Sequence, residues 1–125
     1  MKILAIVLGF VFLAGVAHAE PVRLTASWYS IASLKKEGTF KYSKGVMANG
    51  ELFSDTEYTA ASRMYPLGSF VSVTNIANGK SVKVRITDRI GKRFAATRID
   101  LSAGAFGRIA NHKSGVIQVL VERIA

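Results

Sequence analysis

The chain has 125 residues, with 17 basic against 8 acidic side chains, a formal charge of +9 and no cysteine. That length suits one domain of common size with a short additional segment. The missing cysteines exclude a disulfide framework, a thiolate nucleophile and a cysteine-ligated metal, and lead us to expect no lipid anchor.

Residues 1–19 read as an export signal. Met1-Lys2 is a short basic start, Ile3 to Val16 is uncharged and apolar, and Ala17-His18-Ala19 has the small-x-small form of a cleavage site. The apolar stretch is too short to span a bilayer comfortably. Cleavage after Ala19 would leave residues 20–125 as a soluble, periplasmic or secreted monomer without a stable membrane anchor. Export makes nucleic acid an unsuitable partner for the positive charge and points it toward anionic envelope polymers, or simply toward water.

Leu24 to Tyr29 then alternates, with Leu24, Ala26 and Trp28 on one face, as a half-buried strand does. Ser30 to Val46 is polar and basic, carrying Lys35, Lys36, Lys41 and Lys44, and reads as a long surface loop. Asn49-Gly50 is a turn dipeptide that projects Glu51, and Ser54 to Glu57 reads as a second turn. Pro66-Leu67-Gly68 is another. Phe70 to Asn75 and Ser81 to Asp88 form a hairpin, with Asn78-Gly79 supplying the φ > 0 residues of a tight turn. Ser102 caps a short helix whose inner stripe is Phe106 with Ile109 or Ala110, and Gly104 and Gly107 limit it to a turn or two. Gly115 to Ile124 is a β-branched final strand. Many short strands with one helix indicate a small β-barrel or sandwich.

The chemistry narrows quickly. Beyond residue 19, His112 is the lone imidazole, in the connection Asn111-His112-Lys113, so we expect a surface residue, with no metal and no cofactor. No phosphate-cradling glycine motif occurs. Carboxylates remain. In Val82-Lys83-Val84-Arg85-Ile86-Thr87-Asp88, Asp88 is in phase with Val82, Val84 and Ile86, where a strand ends. An acid there is desolvated or looks into a cleft, the two settings that suit proton transfer. Glu51, on its loop, is the candidate second carboxylate for glycosidic-bond cleavage. Asp100 precedes the helix, where it would hydrogen-bond backbone amides or pair with an arginine. Trp28 and Tyr29 end a strand, and Phe53 and Tyr58 flank the Glu51 loop. Exposed rings beside carboxylates suit sugar faces, although Trp28 also fits a core position.

These segments together resemble the RlpA-like (rare lipoprotein A) double-psi β-barrel family. The matching pieces are Ala26-Ser27-Trp28-Tyr29, Ala48-Asn49-Gly50-Glu51, Thr59-Ala60-Ala61, Pro66-Leu67-Gly68, Val71 to Asn75, Asn78 to Val82, Ile86-Thr87-Asp88-Arg89 and Arg98 to Ser102. The resemblance implies a mainly β, small six-stranded double-psi β-barrel with one or two short helices in a single domain. It further implies a lytic transglycosylase that cuts peptidoglycan glycan strands, preferably without peptide stems, to 1,6-anhydromuramyl ends. The family's two acidic positions fall on Glu51 and Asp88. Trp28, Tyr29, Asn49, Ser62 and Arg89 would contact substrate. Ser62 stands where members usually carry histidine, and Ile90-Gly91 replaces the usual Gly-Pro after Asp-Arg. A non-catalytic wall-polysaccharide-binding module of the same fold is the alternative these departures allow, and a secreted effector acting on a competitor's wall a third.

Overall fold

A computed structural model describes residues 20–124; the export segment expected at 1–19 lies outside the described residues. The strands are β1 (Val22–Tyr29), β2 (Thr59–Ala61), β3 (Phe70–Asn75), β4 (Ser81–Asp88), β5 (Arg98–Ser102) and β6 (Ile117–Ile124). They close into a barrel in the order β1-β5-β2-β4-β3-β6. β1–β5 and β2–β4 pair in parallel, and the other four neighbours pair antiparallel. Closure gives each of the six described strands a neighbour on both sides.

Alternation explains the interior. Leu24 and Ala26, Val71 and Val73, Val82, Val84 and Ile86, Ile99 and Leu101, and Val119 and Val121 all point inward and are buried. The helix α3 (Ala103–Ile109) supplies Ala105, Phe106 and Ile109 to this same core. Ser102 caps it as expected, accepting a hydrogen bond from the Ala105 N–H. Gly104 has a packing reason: an added Cβ would lie 2.8 Å from the Asp55 carbonyl oxygen and 2.9 Å from that of Thr56. The Asn75 and Asn78 side-chain amides both donate to the Ile109 carbonyl, at 2.8 and 2.9 Å, and so tie the hairpin to the helix end.

Three expectations need correction. The β3–β4 connection spans Ile76 to Lys80 and is no two-residue turn; only Gly79 takes positive φ there, at 75°. Ser30 to Val46 is no loop but holds α1 (Ile31–Lys36) and α2 (Phe40–Ser43), so the described residues hold three α-helices where one or two were expected. A capping box starts α1: the Ser30 side chain accepts from the Ser33 N–H, and the Ser33 hydroxyl reaches back to the Ser30 N–H. Asp55 adds an acceptor for the Ile31 N–H at 2.8 Å. Ile31 and Leu34 then pack with Tyr29, Met47, Phe53, Ala61 and Ile90 in a second apolar cluster outside the barrel. The third correction concerns β4. Ala60 pairs with Ile86 but Ala61 pairs with Asp88, so Thr87 is the extra residue of a bulge. Thr87 is buried with its hydroxyl on the Met47 sulfur, and the alternation that put Asp88 in phase with the core breaks there.

Candidate active site

The bulge places Asp88 in a row that runs across four strands. Asp88 lies beside Ala61, Ala61 beside Asp100, and Asp100 beside Ser27. Ile99 and Leu101 point into the core, so Asp100 between them points out, as does Ala61 after the buried Ala60. Two carboxyls therefore stand on the outer wall on either side of a methyl group, two strand spacings or about 10 Å apart at Cα. They line one cleft of about 550 Å³, whose opposite wall is built by α1, α2 and the residues that follow them: Leu34, Glu37, Thr39, Ser43, Gly45, Val46 and Met47.

Asp88 is held by three donors. Its Oδ1 accepts from the Ala48 N–H at 3.0 Å and from the Arg89 N–H at 2.9 Å, and its Oδ2 from the Tyr29 hydroxyl at 3.2 Å. No arginine pairs with it among the described salt bridges, and it faces the cleft. Burial, and then the negative charge of Asp88 and Asp100, hold the Tyr29 hydroxyl protonated far above its ordinary range, so it is a permanent donor. The Tyr29 ring is stacked on Phe53 at 4.4 Å, and both are buried. Tyr29 thus offers the cleft its hydroxyl and not a ring face.

Asp100 is the group that the sequence left among backbone caps. It accepts from the Ser27 hydroxyl at 3.0 Å, and Ser102 does the capping instead. Burial raises its carboxyl from 3.8 to about 6; the Ser27 hydrogen bond and Arg98 oppose the rise, and Glu37 and Asp88 add to it. Glu51 stands elsewhere. Its carboxylate pairs with Arg85 at 2.8 Å, it is exposed, and it is not among the residues lining the cleft. The Arg85 hydrogen bond holds it below the usual carboxylate range. Asn49 belongs to the same turn: its N–H donates to the Thr87 carbonyl, and its side chain accepts from the Glu51 N–H.

Ser62 is fully buried, with its N–H on the Asp88 carbonyl and its hydroxyl accepting from the Met64 N–H, so it supports Asp88 from behind. Arg89 lines the cleft, but its Nη1 donates to the Ser62 and Tyr65 carbonyls at 2.6 and 2.7 Å. Trp28 is half-buried: it packs against the core and lines the cleft, with Nε1 on the His112 carbonyl and its ring 4.8 Å from the His112 imidazole. His112 is exposed and outside the cleft. Asp100 and Glu37 are the cleft acids that sequence reasoning did not select. The Arg98-x-Asp100-x-Ser102 alternation signalled an outward acid, but nothing local gave its neighbour.

The family model described as lytic transglycolase matches residues 22–121, the whole barrel apart from the end of β6. The chain belongs to this family. It is 51% identical over 75 residues to a probable endolytic peptidoglycan transglycosylase RlpA of Synechocystis, covering 60% of this chain and 23% of that one. It is 42% identical over 100 residues to the endolytic peptidoglycan transglycosylase RlpA of Pseudomonas aeruginosa, covering 80% and 26%. The chain thus spans about a quarter of the length of these relatives. Among solved structures, a Streptomyces papain inhibitor superposes with a TM-score of 0.60 at 21% identity, over 87% of this chain and 96% of that one. A Clavibacter michiganensis expansin mutant solved with cellohexaose gives 0.59 at 18%, over 84% and 50%. Both likenesses concern the fold.

Proposed function

We propose that the barrel is a lytic transglycosylase domain that cuts peptidoglycan glycan strands and leaves 1,6-anhydromuramyl ends. Family membership and the names of the RlpA relatives support the reaction class. The observation that carries the reading on this chain is the pair Asp88 and Asp100, set across Ala61 in one open cleft. Glycosidic-bond cleavage needs an acid for the leaving oxygen and an acceptor for the attacking hydroxyl's proton, and carboxyls within roughly 5–10 Å of each other can flank a sugar linkage.

The two environments divide the work. Asp100, with a value of about 6, carries the proton and protonates the glycosidic oxygen as the bond to C1 breaks. Asp88, oriented by Ala48, Arg89 and Tyr29, faces the developing oxocarbenium charge. The sugar's own C6 hydroxyl then closes on C1, and its proton goes to Asp88. Solvent exchange returns the pair to its starting state. Water takes no part in the bond-making step, which is what separates this route from hydrolysis.

Glu51 acts through Arg85 and the Ala48–Glu51 turn, Ser62 holds the Asp88 backbone, and Arg89 holds the Asp88 carboxylate with its N–H and the Ser62 carbonyl with its guanidinium, so we assign these three positioning roles. Trp28 and Asn49 border the path of the glycan. The preference for strands without stems, action outside the cytoplasm after loss of residues 1–19, and attraction of the basic α1–α2 face to anionic envelope polymers are parts of the same proposal. Mass spectrometry of stem-free glycan strands tests it: anhydro ends from wild type and none from Asp88→Asn. Reducing ends instead would mean hydrolysis, and binding without product from wild type would leave a polysaccharide-binding module.

A further inference from the structure

A second groove, of about 390 Å³, lies on the outer wall and is lined by Thr56, Glu57, Tyr58, Thr59, Phe70 and Arg85. Its base is another cross-strand row: Thr59 of β2 beside Arg85 of β4, and Arg85 beside Phe70 of β3. Tyr58 and Phe70 are exposed aromatics, by 42% and 41%. Lys83 Nζ sits 4.7 Å from the Phe70 ring centre, so that ring already presents a π face to a polar group. Arg85 gives Nη2 to Glu51, while its Nε and Nη1 have no partner among the described residues. Thr59 is 4% exposed, yet its hydroxyl has no hydrogen-bond partner among the described residues. A buried polar atom left in that state is costly and calls for an explanation.

We propose that this groove is a second sugar subsite, holding rings of a β-1,4-linked N-acetylated glycan that runs out of the cleft. The inference rests on the glycan reading above. Continuity argues for this occupant. Along β2, Thr59 is two residues from Ala61 in the cleft floor, about 7 Å; along β4, Arg85 is three residues from Asp88, about 10 Å. Those steps correspond to one or two pyranose rings. The turn between them serves both places: the Ala48 N–H holds Asp88, and Glu51 holds Arg85. Each ring of such a strand offers an apolar CH face to Tyr58 and Phe70, and oxygen acceptors to the free Arg85 N–H groups. The Thr59 hydroxyl gains its missing partner when the groove side chains part to admit a sugar hydroxyl. Glu51 is then a positioning residue for Arg85, which gives a purpose to an acid that stands outside the cleft.

The test is calorimetric titration of Asp88→Asn with the dimer and the hexamer of N-acetylglucosamine. The hexamer binds more tightly than the dimer. Adding Phe70→Ala or Tyr58→Ala weakens the hexamer about two- to tenfold and leaves the dimer unchanged. Thr59→Val separates ligand contact from folding: it raises the thermal midpoint by removing the orphan hydroxyl, and still weakens the hexamer. Hexamer affinity unmoved in all three variants, each folded, overturns the subsite while leaving the catalytic proposal standing. Length-dependent binding that is lost with Phe70→Ala, alongside no anhydro product from wild type, sustains the subsite and sinks catalysis. Binding of neither oligosaccharide overturns the subsite, and anhydro product from wild type decides the catalytic proposal separately.

Discussion

Replacing Asp100 by asparagine should make the fold more stable at neutral pH and the site inert. In the folded chain the Asp100 carboxyl takes up its proton at about 6, against 3.8 for an ordinary one. Between those values the folded state binds more proton than the unfolded state. Stability therefore falls as pH rises through that window and stays at the lower level above it. A gap of about two pH units is worth on the order of 3 kcal/mol. Asp100→Asn carries no charge to desolvate, so it escapes this loss; the Ser27 hydrogen bond opposes the rise and is already contained in the value of about 6. The gain at pH 8 is about 3 kcal/mol, or on the order of 15 °C in Tm for a domain of this size. At pH 4 the two proteins should nearly coincide. Urea midpoints at pH 4, 6 and 8 measure this directly. A difference that does not change with pH, or a variant less stable than wild type at pH 8, would refute the assignment of the shift to burial. Activity should move the other way: wild type loses about tenfold per pH unit above about 6 as its acid ionises, and the variant is inactive throughout. Full activity in Asp100→Asn would assign both proton steps to Asp88.

Other outcomes follow from the packing and the hydrogen bonds. Phe106→Ala empties the centre of the barrel and should cost about 3–5 kcal/mol, read from urea unfolding. Gly104→Ala forces a methyl against the Asp55 and Thr56 carbonyls and should cost about 1–3 kcal/mol, with chemical-shift changes concentrated at residues 55–57. Tyr29→Phe keeps the stack on Phe53 but removes the hydroxyl from Asp88; kcat should fall about tenfold while Tm stays within a few degrees, and an unchanged kcat would deny that bond a role in orienting Asp88.

Much of the barrel could be read from local pattern. β1, β3 and β4 came from alternation, β6 from its β-branched run, and α3 from Ser102 with Phe106 and Ile109. Strand order could not, because pairing of β2 between β5 and β4 joins segments far apart in the chain; there the family resemblance supplied what periodicity lacks. α1 and α2, at six and four residues, are too short for a helical period to emerge. The capping box of α1 uses Ser33 where the recognisable signal is Glu or Gln. Asp88 was selected for its phase with Ile86, yet its setting comes from the bulge at Thr87, which interrupts that phase. Asp100 was passed over because its partner across Ala61 exists only once the barrel closes. Glu51 and Arg85, 34 positions apart, could not be paired from spacing either.

One consequence of the strand order concerns how such a barrel can be joined to other chain. β1 and β6 are neighbours, with Val22 directly opposite Val121 and β6 ending three residues later, so the entry to the first strand and the exit from the last lie at one end of the same strand pair, about 10 Å apart. A linker of a few residues could fuse those ends and new termini be opened in a surface connection such as Ile76 to Lys80, giving a circular permutant with the cleft intact. By the same geometry, the unit can be spliced into a longer polypeptide as a self-contained cassette, with both tethers leaving from a single corner and the row of acids left unobstructed.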